Sequence, residues 1–131
     1  MLQIKKQVID SILAHAKKDA PIEACGYLAS TDDVVVVNYP LTNTDASAEH
    51  FSLDPKQQFD TVKKIRSFGM KLRAVYHSHP ATPARPSQED IRLAYDPSIS
   101  YVIVSLENGQ ETVKSFIIKN GNVTLEELSV V

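Results

Sequence analysis

The chain has 131 residues, 43% of them apolar and 23% charged, with a net charge of −2 and a single cysteine, Cys25. That balance suits one soluble domain with a real core. It excludes an intrachain disulfide and any Cys-rich zinc site, and it offers neither a basic run for nucleic acid nor an apolar stretch near the roughly 20 residues that span a bilayer.

Residues 2–18 read as an amphipathic helix. Ile4, Val8, Ile12 (with Leu13) and Ala16 recur at helical spacing, Lys5, Lys6, Asp10 and Lys17 take the other face, and Pro21 marks the stop. The opening residues lack the uninterrupted apolar core of a signal peptide, so a cytoplasmic location is the default expectation. Residues 22–29 are expected to enter the core as a strand, with the carboxylate of Glu23 at its mouth. Asp32-Asp33 is a turn, and 34–37 is a continuous valine run consistent with a strand buried on both faces. Residues 41–49 are polar and aperiodic, a loop, and 50–53 read as a short strand.

Asp54-Pro55-Lys56-Gln57 is a strong helix start, with Asp as cap, Pro at the first helical position and Gln at the third. Phe59, Val62 and Ile65 give that helix its apolar side, and Gly69 is placed to end it. Residues 71–79 form a strand with Leu72, Ala74 and Tyr76 on one face and Val75, His77 and His79 on the other; Pro80 stops it. The prolines of 81–86 stiffen a loop, and Ser87 opens a short helix over 88–94. A central strand over 101–106, an Asn108-Gly109 hairpin turn, a returning strand over 112–119, a second turn at Asn120-Gly121 and a last strand over 123–128 complete the chain. The pattern is α+β (mixed α/β): one twisted sheet of about six or seven strands with helices against it, in a single domain over 1–131.

The chemistry gathers at His77-Ser78-His79-Pro80 and Ser87-Gln88-Glu89-Asp90. Alternation along a strand points His77 and His79 the same way, close enough for both imidazoles to reach one ion. An isolated His-x-His also suits two ordinary strand-edge histidines, so the third group matters. Asp90, one helical turn after Ser87, is the carboxylate that completes a three-ligand site, the number a catalytic zinc uses while keeping a fourth position for water. The same Ser-x-x-Asp spacing also fits a helix cap, which would hold the carboxylate in a fixed direction. Such a site needs a base that is not itself a ligand, and Glu23 is the candidate; the hydroxyl of Ser87 could donate to an oxyanion. Cys25 reads as a small buried apolar residue, although a cysteine nucleophile is conceivable. His15 and His50 read as ordinary helix or surface residues.

Taken in order, Glu23, His77-Ser78-His79-Pro80 and Ser87-Gln88-Glu89-Asp90 resemble the motif of the JAMM (MPN+) zinc metallopeptidase family, including the local contexts Pro21-x-Glu23-x-x-Gly26 and Pro86-Ser87-x-x-Asp90. The resemblance covers nearly the whole chain. It implies the MPN fold, similar to that of cytidine deaminases, with a mostly antiparallel sheet. It implies one Zn2+ per chain on His77, His79 and Asp90, with Glu23 as general base and Ser87 as donor to the tetrahedral intermediate. It implies cleavage after the C-terminal Gly-Gly of a ubiquitin-like, sulfur-carrier protein reached through its extended tail. The six residues between Ala94 and Tyr101 leave no room for long ubiquitin-gripping insertions, which suits a minimal prokaryotic member. Strand addition to an exposed sheet edge is the expected way to align the tail. Alternatives within the resemblance are cleavage of ubiquitin-like conjugates, as by desampylases, and a non-catalytic scaffold. A deaminase is excluded, since one cysteine cannot supply the Pro-Cys-x-x-Cys pair. Monomer and homodimer both remain open.

Overall fold

The helical spacing of Val8, Ile12 and Ala16 folds as α1 (Lys6–Asp19), and all three side chains are buried. In the computed structural model, which describes residues 1–131, the residues before it behave differently from the expected helix start. Leu2 and Ile4 form a strand, β1 (Leu2–Ile4), lying between two parallel neighbours. Apolar residues at positions 2 and 4 satisfy a period of two as well as they extend a helix, and only the strands on either side decide between them.

The other elements are β2 (Cys25–Thr31), β3 (Val34–Leu41), α2 (Pro55–Ser67), β4 (Lys71–His79), α3 (Gln88–Arg92), β5 (Ser100–Ser105), β6 (Thr112–Lys119), β7 (Asn122–Glu126) and β8 (Leu128–Val130). Eight strands, rather than six or seven, make one sheet in the order β7-β6-β5-β4-β2-β3-β1-β8. Four of its seven pairings are antiparallel, so the mostly antiparallel α+β reading holds. The extra strands come from β1 and from the tail, where the expected last strand splits. β7 lies at one edge of the sheet and β8 at the other, with Glu127 alone between them, so the sheet is curled enough for its edges to be joined through one residue. Glu126 secures the joint: its buried carboxylate accepts the hydroxyls of Ser100 (2.6 Å) and Ser115 (2.8 Å). No helix is long and apolar enough to cross a membrane.

Alternation along the strands sorts the core into two sides. Ala74 and Tyr76 of β4 and Val102 and Val104 of β5 pack with α1. Val75 of β4 joins Ile65 of α2, while Ile103 of β5 packs with Ala84 and, through its cluster, with Ile91 of α3. A β-bulge interrupts this regularity, because Leu28 pairs with Ala74 but Ala29 pairs with Leu72, leaving Arg73 as the extra residue. Leu72 therefore sits with Val75, not with Ala74 and Tyr76 as plain alternation predicts. Three further expectations are corrected. Residues 50–53 form no strand and contribute a single bridge, Asn43 to Leu53. The valine run belongs to a longer strand in which Val35 is buried and its neighbours are half-buried. Phe59 of α2 is 68% exposed, so Val62 and Ile65 carry that helix's packing. The cap of α2 is as read: Asp54 accepts the Gln57 N–H at 3.0 Å, with Pro55 following.

The side of the sheet behind the histidines is closed by Tyr76. It is fully buried, its hydroxyl lies 2.7 Å from Nδ1 of His15 on α1, and its ring occupies the space above Gly26. A Cβ at position 26 would lie 2.5 Å from the Tyr76 ring, which His15 keeps from moving aside. Gly26→Ala is therefore expected to lower stability by about 1–3 kcal/mol, the usual cost of overfilling a packed site, measured as a reduced denaturation midpoint at unchanged m-value.

Candidate metal centre

β4 ends with His77 and His79 on the side of the sheet that carries α2 and α3, and both side chains are buried. Ser78 between them points the other way and ties this strand end to the segment bearing Glu23. Its hydroxyl accepts the Ala24 N–H at 2.7 Å, and its own N–H donates to the Ala24 carbonyl at 2.9 Å. α3 brings the third group. Ser87 caps it through a reciprocal pair, Asp90 N–H to Ser87 Oγ at 3.0 Å and Ser87 N–H to Asp90 Oδ2 at 2.9 Å. The capping arrangement is thus present, and it aims the carboxylate at the histidines.

The three donor atoms form a near-equilateral triangle. Nε2 of His77, Nε2 of His79 and Oδ2 of Asp90 lie 3.1 Å from one another. Nδ1 of His79 is 2.9 Å from the Pro83 carbonyl, to which it must donate, so in the neutral ring its Nε2 meets the site as a lone pair, and only in the protonated ring does it donate to Asp90. A lone pair, a carboxylate oxygen and a second imidazole nitrogen converging in a buried place call for a cation. The triangle matches one face of a tetrahedron with bonds of about 2.0–2.1 Å, whose edges are about 3.3–3.4 Å, the size of a zinc site. These residues fit a divalent metal with N/O preference.

Phe51 stacks on the His77 ring, with centroids 4.7 Å apart and planes 26° from parallel. Asn43 holds the segment that delivers it: Nδ2 donates to the carbonyls of Glu23 (3.1 Å) and His50 (3.0 Å), and Oδ1 accepts the N–H of Asp45 and of Ser52. Ser78, Phe51 and Asn43 escape a reading of the sequence. Only Ser78 leaves a trace there, as the residue that alternation turns away from the ion. His50, expected to be ordinary, pairs with Asp45 at 3.0 Å on the rim. His15 is a helix residue as expected, held between Tyr76 and Asp19.

Burial shapes the charges. Glu23 is 2% exposed and its Oε1 has no hydrogen-bond partner. Desolvation pushes its carboxyl from 4.5 up to about 8, with His79 opposing and the negative charges of Asp90 and Glu89 adding to the rise. Asp90 also loses water, but hydrogen bonds from His77 and His79 outweigh that and hold it well below the usual carboxylate range. Burial alone would lower His79, yet its bonds to Asp90 and Pro83 keep it above its ordinary value. Cys25 is fully buried, and desolvation raises its thiol to about 12, which leaves no thiolate for nucleophilic work.

Beside the triangle opens a groove of about 460 Å³. His77 and Asp90 form its polar end, and Tyr27, Phe51, Val75, Tyr101 and Ile103 its apolar walls. It runs along the face of the sheet. β4 is the fourth strand from the β7 edge and the fifth from the β8 edge, so the nearer edge is about 14 Å away at the usual strand spacing. A strand added at the nearer sheet edge would thus lie more than about 14 Å from β4.

The raised carboxyl of Glu23 has a consequence for metal-stripped protein. A group whose folded pKa lies above its unfolded value stabilises fully below the unfolded value, near pH 4.5, and that contribution is lost as pH rises through about 8. After chelation, the wild type is expected to lose a few kcal/mol across this window at about 1.36 kcal/mol per unit. Glu23→Gln, with no proton to release, should lose less. Thermal melts from pH 5 to 9 check this, and parallel profiles for the two proteins would contradict it.

Residues 5–119 match the family model of prokaryotic homologs of the JAB domain. The chain is 34% identical to the CysO-cysteine peptidase of Mycobacterium tuberculosis over 134 residues, spanning all of this chain and 92% of that protein. It is 32% identical to a probable TtuB-protein conjugate cleaving protease of Thermus thermophilus over 122 residues, 92% of this chain and 78% of that one. Among solved structures, the solution structure of protein DSY2949 from Desulfitobacterium hafniense superposes with a TM-score of 0.90 at 47% identity, covering 100% of this chain and 93% of that one. The matched segment contains Glu23, the His-x-His pair, Ser87 and Asp90, and the chain belongs to the prokaryotic branch of the JAB/MPN family.

Proposed function

We propose that this chain is a zinc-dependent peptidase that cuts after the C-terminal Gly-Gly of a ubiquitin-like, sulfur-carrier protein, either at a peptide-type adduct or at an isopeptide conjugate. The observation that carries the reading is the 3.1 Å triangle of His77, His79 and Asp90 beside a buried carboxyl oxygen with no partner. The names of the relatives, a CysO-cysteine peptidase and a TtuB-conjugate protease, support the substrate class.

His77, His79 and Asp90 would hold the metal. When bound, zinc polarises a carbonyl and brings the pKa of water down toward about 7. Glu23 is the proton carrier. Its orphaned Oε1 is free to accept a proton from water once a divalent cation beside it favours the ionised carboxylate, and the carboxyl can then hand that proton to the departing nitrogen. Ser87 is the oxyanion donor. Its Oγ already accepts the Asp90 N–H, so its own proton is left to give to the substrate carbonyl oxygen. Phe51 and Tyr101 line the groove and exclude water from the reacting bond.

The tail lies in this groove instead of on the sheet edge. Ser52 uses its carbonyl for the Thr44 N–H and its N–H for Asn43 Oδ1. Leu53 pairs with Asn43 through the Thr44 N–H on the Ser52 carbonyl, which leaves the Leu53 backbone groups turned away from that pairing and able to bond an extended tail. Glycines suit the passage beside His77 because they bring no side chain to a place Phe51 already covers.

Elemental analysis of protein purified without added metal should find one zinc per chain. The joint substitution of His77 and His79 by Ala should abolish it. Glu23→Gln should keep the metal and lose about 10²–10⁴ in turnover, the usual worth of a general base. A Glu23→Gln variant turning over near the wild-type rate would remove Glu23 from the role.

For the substrate, replacing the last glycine of the tail by Val should stop cleavage, while residues beyond the cut site should be tolerated. Mass spectrometry of sulfur-carrier adducts and conjugates locates the bond. Equal cutting of the Gly and Val forms would overturn the tail assignment while leaving the metal assignment intact.

A further inference from the structure

We propose that Ser105, which lies outside the family motif, is a positioning residue that sets metal affinity by fixing the ring of His79; the proposal rests on the metal reading above. Ser105 ends β5 and is the register partner of His79 on β4. It is 2% exposed, and its hydroxyl donates to the carbonyl of Thr82 at 2.6 Å while accepting the Glu107 N–H at 3.1 Å. Thr82 precedes Pro83, whose carbonyl accepts Nδ1–H of His79 at 2.9 Å. The connection from Pro80 to Pro86 has its outer residues, Ala81, Thr82 and Pro83, in solvent, and Ala84 packs against Ile103. The Pro83 carbonyl itself accepts the Arg85 N–H at 2.9 Å, and the turn that carries it is tied to the sheet by the Ser105 hydroxyl on Thr82 before it and by Ala84 after it. The Arg85 bond is local to the turn and a proline has no backbone N–H of its own to give, so the Ser105 hydroxyl on Thr82 is the hydrogen bond that fixes this turn to β5.

The carbonyl decides which imidazole nitrogen carries the proton. With Nδ1–H satisfied, Nε2 presents its lone pair to the triangle; with the carbonyl displaced, the ring is free to exchange tautomers and to turn. Partners of this kind around metal-binding histidines commonly change metal affinity by about 10–100-fold when removed.

Ser105→Thr and Ser105→Val make an isosteric pair that differs only in the hydroxyl, with Ser105→Ala as a smaller companion. Zinc dissociation constants are read by competition with a chromophoric chelator. The Nδ1–H resonance of His79 is read by proton and nitrogen NMR in metal-free protein. Ser105→Thr is expected to keep affinity within a few-fold and to retain the resonance. Ser105→Val and Ser105→Ala should weaken zinc about 10–100-fold and broaden or lose that signal. A Val variant that binds zinc as the Thr variant does, with the His79 signal intact, overturns the proposal, as does equal loss in both. If the wild type takes up no zinc, the metal reading fails, and the resonance still shows whether Ser105 fixes the ring. A lowered melting temperature without change in affinity or resonance would mean a merely structural hydroxyl and would also overturn it.

Discussion

The rest of this structure depends on an arrangement that the chain alone disfavours, three electron-pair donors held 3.1 Å apart in a buried place. With neither a proton nor a cation between them, lone pairs and a carboxylate repel at that distance, and removing them from water adds a further cost. Each is fixed by a further contact. His79 is held through Pro83, Asp90 through the Ser87 backbone, and His77 through the stacked ring of Phe51. The sheet supplies the rigidity behind these bonds, since β4 has a hydrogen-bonded strand on either side, β2 and β5.

That central position links fold and chemistry. β2 delivers Glu23 just before its first residue, and Ser78 clamps the Ala24 backbone on the other side of the same strand end. β5 delivers Ser105 beside His79. The crossover between β4 and β5 contains α3, whose capping box is built from the same Ser87 and Asp90 that take part in the site. One local motif therefore starts a helix and aims a carboxylate at the two histidines. The helix is five residues long and has no buried side chain of its own, so its placement rests on Ile91 and the loop before it, through contacts with the cluster around Ile103.

The groove bears on how a site in the middle of a sheet could meet the proposed protein substrate. On the proposed reading, a folded body cannot reach a site at the end of an inner strand, but a tail without side chains can enter the groove between residues 50–53 and α3. The segment over 42–53 that borders it has little regular structure. Asn43 organises it with five hydrogen bonds to backbone groups. Loops built this way keep their shape while leaving backbone groups available for a partner.

The sequence by itself determined which groups gather at the site and most of the elements. His77, His79 and Asp90 were legible because a period of two and a helix cap are local rules, and the cap of α2 and the turns at Asn108-Gly109 and Asn120-Gly121 were legible for the same reason. Tertiary structure alone decided the rest. Whether residues 2–4 continue a helix or add a strand depended on partners about thirty and more than a hundred residues away. The face of Leu72 depended on a bulge set by pairing with β2, and the split of the last strand on the curl that brings the two sheet edges together. The orphaned oxygen of Glu23, the ring over His77 and the hydroxyl of Ser105 are likewise products of packing between distant segments. Local spacing records which groups can share a face. It carries no information on what the fold will place opposite them.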